Sequence, residues 1–172
     1  DLVRSRGLGD VYKRQQINTI KTTDFSAKKM VVSKENTTTF NYSNLNQSQI
    51  HLTAENKNLK IIFSNDANDS LVLEYDPKNK LFSVDRRQSG KVDFEKSFGE
   101  KIHTAPTENL ITATIDFQII VDWSSIEIFL NGGVYSLTEQ IFPNEPYNKL
   151  TIQSNDKQEI KNMTIDSVKG VW

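Results

Sequence analysis

Cysteine is absent from this 172-residue chain, which removes a disulfide framework, a thiolate metal site and a cysteine nucleophile together. No uninterrupted apolar run approaches the roughly 20 residues of a membrane span, and no charged-then-apolar leader opens the chain. If the protein is exported, its signal is expected elsewhere. Histidine occurs only as His51 and His103, and there is no Gly-x-Ser-x-Gly elbow, so a serine triad is not expected. Neither His-x-x-x-His nor an acidic loop of the Asp-x-Asp-x-Asp-Gly kind occurs, and no metal is expected. Phosphate-binding glycine motifs are also missing, so no cofactor is expected. Charge of one sign does not accumulate: the net charge is −1, with Lys and Arg spread along the chain. Nucleic acid and anionic membranes are therefore not expected partners.

What remains is globular but polar, with 36% hydrophobic and 25% charged residues in a length suited to one domain. Residues 1–15 (DLVRSRGLGDVYKRQ) carry neither a strand nor a helix period. The segment RSRGLGDVYKRQ resembles a translated sequencing-adapter tail. Residues 1–15 are set aside as a non-native or disordered tail and residues 16–172 are taken as the domain.

From about Ile17 onward, short apolar or alternating stretches recur between Asn, Asp, Gly, Ser and Pro, the mark of antiparallel β-structure. Strands are expected at Lys29–Val32, Thr38–Tyr42, Ile50–Ala54, Leu59–Ser64, Leu71–Tyr75 and Leu81–Asp85. A second group is expected at Leu110–Val121, Ile126–Leu130, Val134–Thr138, Leu150–Ser154 and Met163–Val168. Ile115, Phe117, Ile119, Val121 and Trp123 alternate with Asp116, Gln118, Ile120 and Asp122, as a half-buried strand does. Ile126, Ile128 and Leu130 resume the apolar face. Asn131-Gly132-Gly133 tolerates the positive φ of a tight hairpin turn into a return strand with Tyr135 and Leu137. In Asp76-Pro77-Lys78-Asn79, Pro presets φ and the Asp and Asn side chains cap a second turn. About ten strands with no crossover helices imply an all-β fold, an antiparallel two-sheet β-sandwich of the jelly-roll or concanavalin-like kind.

Candidate chemistry is sparse. His51 opposes the face of Ile50 and Leu52 and is expected to face solvent, and His103 is expected in a loop before Pro106. Asn65-Asp66-Ala67-Asn68-Asp69 could offer oxygens to calcium but reads as a polar hairpin loop. Glycoside hydrolysis needs two carboxylates about 5–9 Å apart. Asp116 and Asp122, six residues apart on one strand face, stand ~20 Å apart. Asp122 and Glu127 flank a turn and could face each other, although exposed acids on a polar strand face are commonplace. Among aromatics that could stack on sugar rings, Trp123, Phe129, Tyr135, Tyr147 and Trp172, Trp123 keeps the apolar register and is expected in the core. Phe129 falls on the polar face beside Glu127 and is expected to protrude towards another module or a sugar.

Leu81-Phe82-Ser83-Val84-Asp85-Arg86-Arg87-Gln88-Ser89-Gly90 is followed by Val121-Asp122-Trp123-Ser124-Ser125-Ile126-Glu127-Ile128-Phe129-Leu130-Asn131-Gly132-Gly133, by Ser136-Leu137-Thr138 and by Ile141-Phe142-Pro143. This order resembles the C-terminal β-sandwich of glycoside hydrolase family 32, the invertase, inulinase and levanase family. The resemblance spans about Leu71 to Trp172.

The resemblance implies a parent enzyme with a five-bladed catalytic propeller first, carrying Trp-Met-Asn-Asp-Pro-Asn-Gly, Arg-Asp-Pro and Glu-Cys motifs. None occurs in this chain, so no catalytic or substrate-binding residue is carried over. The expected function is that of a non-catalytic domain of a fructan-hydrolysing enzyme, an incomplete gene read having kept the domain and lost the propeller; a fructan-binding module is the alternative. Asp85, Arg86, Asp122, Ser125, Glu127, Phe129, Asn131 and Gly133 form the expected structural or interface motif, with Asp85 and Arg86 pairing with each other or with a neighbouring domain. The implied partner is the propeller of the parent chain, with fructan and a second copy as further candidates. A secreted or periplasmic parent enzyme is expected, because its substrate is an outside polymer.

Overall fold

The computed structural model describes residues 21–43 and 45–168; the tail at 1–15, the domain start at 16, Ile17 and Trp172 lie outside the described residues. Twelve strands occur among the described residues: β1 (Lys21–Val32), β2 (Thr38–Asn41), β3 (Ser48–Glu55), β4 (Leu59–Ser64), β5 (Ser70–Asp76), β6 (Leu81–Gln88), β7 (His103–Pro106), β8 (Thr114–Val121), β9 (Ser125–Leu130), β10 (Tyr135–Gln140), β11 (Lys149–Gln153) and β12 (Gln158–Val168). They form two antiparallel six-stranded sheets, β1-β12-β3-β8-β9-β10 and β2-β11-β4-β5-β6-β7.

Period-two alternation is what makes two sheets close on one core. Leu59, Ile61 and Phe63 of β4, Leu71, Leu73 and Tyr75 of β5, and Ile115, Phe117, Ile119 and Val121 of β8 all point inward and are buried. Phe117 stands 6.3 Å from both Tyr75 and Phe82 of the opposite sheet, centroid to centroid, and Phe25 lies 4.7 Å from Phe40. Burying each such side chain contributes about 1.5–3 kcal/mol. Both expected turns form. Asp76 Oδ1 accepts from the amides of Lys78 and Asn79, and Asn131, Gly132 and Gly133 all take positive φ.

Several expectations need correction. β1 begins at Lys21 rather than Lys29, and His103 lies in β7 rather than in a loop. Both are edge strands, each pairing with a single neighbour, so their patterning is diluted by polar residues. Leu110 lies in the loop before β8. Trp123 is 52% exposed instead of buried. The ladder ends at Val121↔Ile126, and the chain reverses where Asp122 N donates to Ser125 O (2.8 Å), so the apolar register stops one step before Trp123.

The two ends of the sandwich differ in what they hold. Lys21, where β1 begins, pairs with Val168, and the β8–β9 turn and the end of β10 lie along the same rim. We call this the leading end. The far end carries the β5–β6 and β9–β10 turns and the loop joining β7 to β8.

Candidate functional site

Near the leading end, two charged side chains stand at inward positions of their strands. Phe82, Val84 and Arg86 share the inward face of β6; on β10, Tyr135, Leu137 and Glu139 share one face and Ile141 follows in step. Arg86 and Glu139 thus occupy positions where alternation calls for apolar residues, on strands of opposite sheets. A register shift between β5 and β6, where Val72 pairs with Asp85 but Ser70 with Gln88, places a bulge at Arg86–Arg87.

The two charges meet. Arg86 Nη1 lies 3.5 Å from Glu139 Oε2, with the side chains 10% and 8% exposed, and Nη1 also donates to the Gln140 carbonyl (3.0 Å). His103 Nδ1 donates to Glu139 Oε1 (2.6 Å). The guanidinium carbon sits 3.7 Å from the Phe98 ring centroid, a cation–π contact. Strands β6, β7 and β10 and the loop after β6 are joined at one point.

That loop is shaped by Gly90. Its φ of +123° is one that side-chain-bearing residues rarely adopt, and a Cβ there would lie 2.2 Å from the Phe142 carbonyl oxygen. Lys91 N donates to that same oxygen (2.8 Å). Phe94, Phe98 and Phe142 then stack at 4.7–5.6 Å, with Phe94 61% exposed. Beneath them Tyr147 OH donates to the Ser89 carbonyl (3.0 Å), and burial pushes its phenol pKa well up.

The expected motif divides between the two ends. Asp85 does not pair with Arg86, since consecutive strand residues face opposite ways; it holds Arg87 through Nε (2.9 Å) and Nη2 (2.8 Å), which keeps its carboxyl below the usual range. Asp122 and Ser125 close the β8–β9 turn, where Asp122 Oδ1 also accepts from Trp123 N (2.8 Å). Glu127 does not face Asp122: it lies opposite Ile120 and Thr138. Phe129 stands on the outer face of its sheet between Gln118 and Ser136, but it is 4% exposed and does not protrude. Asn131 Oδ1 accepts from Asp116 N (2.8 Å), and Asn131 and Gly133 shape the turn at the far end.

The remaining candidates resolve into local bonding. His51 is exposed and bonds through Nε2 to Asp116 Oδ2 (3.1 Å). Asn65–Asp69 is a hairpin loop whose Asp69 accepts from Asn65 Nδ2, Asn144 N and Asn144 Nδ2 at 2.7–2.8 Å. Among the described residues no three His, Asp or Glu side chains are grouped to hold a metal. Glu139 and Phe98 were not singled out from sequence, and His103, expected in a loop, and Gly90, quoted only within a motif, were given no role there. A charge inside an apolar alternation was the available signal for Glu139, as for Arg86.

Fold and geometry define the class as an antiparallel two-sheet β-sandwich module whose sheets are tied near one end by a buried ionic cluster. The family model described as "Glycosyl hydrolases family 32 C terminal" matches residues 8–167, beginning inside the tail set aside above. The chain belongs to that family of C-terminal domains. It is similar to a levanase of Bacillus subtilis, 33% identical over 99 residues, covering 57% of this chain and 14% of that protein. An extracellular exo-inulinase of Aspergillus niger is 30% identical over 99 residues, covering 57% of this chain and 18% of the relative. Among solved structures, an exo-inulinase from Aspergillus awamori superposes with a TM-score of 0.78 at 22% identity, covering 91% of this chain and 31% of that one. A fructofuranosidase from Schwanniomyces occidentalis, complexed with fructose, gives 0.69 at 16%, covering 87% and 34%. The chain spans less than a fifth of these sequence relatives and about a third of the solved chains.

Proposed function

We propose that this chain is the non-catalytic C-terminal domain of a secreted fructan-hydrolysing enzyme, and that it works by packing against a catalytic propeller preceding β1 in the parent protein. The observation that carries this reading is exposed aromatic surface around the end from which β1 starts. Trp123 projects from the β8–β9 turn on the same rim as Lys21, and the Phe94–Phe98–Phe142 stack adjoins the end of β10. Large rings at the centre of an interface supply much of its binding energy. The Arg86–Glu139–His103 cluster holds both sheets and the loop beneath this surface in one geometry. In this reading Asp122, Ser125 and Arg86 act at the interface by shaping it, whereas Asn131 and Gly133 serve the opposite end.

The test uses the chain and the catalytic portion of its parent protein produced separately. The chain alone should release no fructose from levan, inulin or sucrose, and the two parts should form a complex. Trp123→Ser should weaken that complex more than tenfold, the loss of one anchoring ring. Fructose release by the chain alone, or a complex unaffected by the substitution, would sink the proposal.

A further inference from the structure

The far end carries a knob and a cleft side by side. Ile111, in the loop joining β7 to β8, is 90% exposed, and Val134, in the β9–β10 turn, is 60% exposed. Beside Ile111 an open cleft of about 520 Å³ runs between that loop and the β5–β6 turn, with Pro77, Leu110 and Ala113 among its apolar walls. We infer that this face is a self-complementary interface, on which a second copy of the chain docks with its Ile111 in the cleft of the first.

The knob is held out rigidly. Asn56 Nδ2 donates to the carbonyls of Leu110 (3.3 Å) and Thr112 (2.6 Å), which fixes the main chain on both sides of Ile111. From the β9–β10 side, Asn131 Nδ2 donates to Thr112 Oγ1 (3.1 Å) and Tyr135 OH accepts from Asn109 N (3.1 Å). These two bonds also keep Val134 beside the loop, since it lies between Asn131 and Tyr135 in the chain. A large apolar side chain held in water by three separate anchors gains from burial, and the loop loses little freedom when it is covered.

The charges select the occupant. Lys80 and Glu108 line the cleft, both are exposed, and no ion pair joins either to another described residue. Thr107 N donates to the Lys80 carbonyl (2.7 Å), which sets the two residues in one frame. An acidic partner would meet Glu108, and a basic one would meet Lys80. A second copy related by a two-fold axis suits both, because the axis sets Lys80 of each chain against Glu108 of the other. The same axis carries each Ile111 into the other's cleft, so a single favourable contact is made twice.

The docking reading leaves this face unclaimed. β1 begins and β12 ends at the leading end, where Lys21 pairs with Val168, and the aromatic surface proposed for docking lies around that end. Self-association at the far end goes beyond that reading and does not depend on it.

Sedimentation equilibrium of the 172-residue chain provides the test. A monomer–dimer equilibrium is expected across about 5–500 µM, the range of a small transient interface. Ile111→Asp, a change at an exposed position that should keep the thermal midpoint, should weaken the dimer about tenfold or more. Lys80→Glu and Glu108→Lys should each weaken it about threefold to tenfold, and the two reversals in one chain should restore it to within about twofold. Trp123→Ser should leave the dimer unchanged, which separates this interface from the docking surface. The inference is overturned if the chain is monomeric across the whole range, if Ile111→Asp associates as the parent chain does, if the double reversal recovers nothing, or if Trp123→Ser abolishes the association.

Discussion

Two histidine–carboxylate pairs stand in this sandwich, and their surroundings make them different objects. His103 and Glu139 belong to edge strands of opposite sheets and meet at 2.6 Å, with the carboxylate 8% exposed and Arg86 on its other oxygen. His51 and Asp116 belong to β3 and β8, neighbours already joined by a backbone ladder from Ser48↔Val121 to Glu55↔Thr114. They meet at 3.1 Å with side chains 47% and 34% exposed. The first pair joins strands of opposite sheets, and its carboxylate is shielded from water although the imidazole is 38% exposed. The second adds to a contact the ladder has already fixed, in a setting where ion pairs contribute ~0–1 kcal/mol. The same two groups differ in weight because of what else holds their strands.

Breaking the buried pair gives the largest expected effect. Glu139→Ala leaves Arg86 buried without its carboxylate and removes the partner of His103, which should cost about 3–5 kcal/mol of unfolding free energy. Urea unfolding of the two proteins reads this directly. The cost belongs to the abandoned charge and not to the pair, so Arg86→Met combined with Glu139→Leu should recover most of it. If the single variant loses under 1 kcal/mol, the cluster is as dispensable as the exposed pair and the contrast fails.

Gly90→Ala sharpens the contrast by acting on the cluster without touching its charges. A methyl group 2.2 Å from the Phe142 carbonyl oxygen forces the loop to move, and Phe98 moves with it from its place over Arg86. Strain and lost stacking together should cost about 1–3 kcal/mol, measured as a lowered urea midpoint. The change should also alter the fluorescence-detected environment of Tyr147, whose hydroxyl bonds to Ser89 beside Gly90.

Much of the framework around these sites was legible. The hairpins over 71–85 and 115–140 follow from alternation and from turn residues whose side chains or φ angles do what the turn demands. The candidate site was less so. Asp85-Arg86 read as a pair because the residues adjoin, whereas a strand sends them to opposite faces and the bulge gives Asp85 to Arg87. Trp123 continued an apolar pattern beyond the last ladder pair. His103–Pro106 has only four residues, of which His103 and Ala105 are half-buried, too little alternation to separate a strand from a loop. Arg86 and Glu139 were readable in principle as charges in apolar registers, but which charge would meet which depends on the stacking of the two sheets.

The exposed pair offers the smallest effect and a signature in pH. The hydrogen bond to Asp116 raises the His51 pKa above its usual value, and the bond from His51 holds the Asp116 carboxyl below its own. A raised histidine pKa contributes stability that is full below the unfolded value, about 6.5, and is lost as pH rises through the folded one. A lowered carboxylate pKa contributes stability present above about 3.9 and lost as pH falls through the folded value. The pair is therefore worth most between about pH 4 and 6.5. Both side chains are more than a third exposed, so solvent screening limits the gain to about 0.2–1 kcal/mol. His51→Gln should cost that amount at pH 5.5 and less at pH 8.5, as read from urea midpoints. A variant equally destabilised at both would show that His51 acts through packing and not through charge, and the two pairs would then differ in kind rather than in degree.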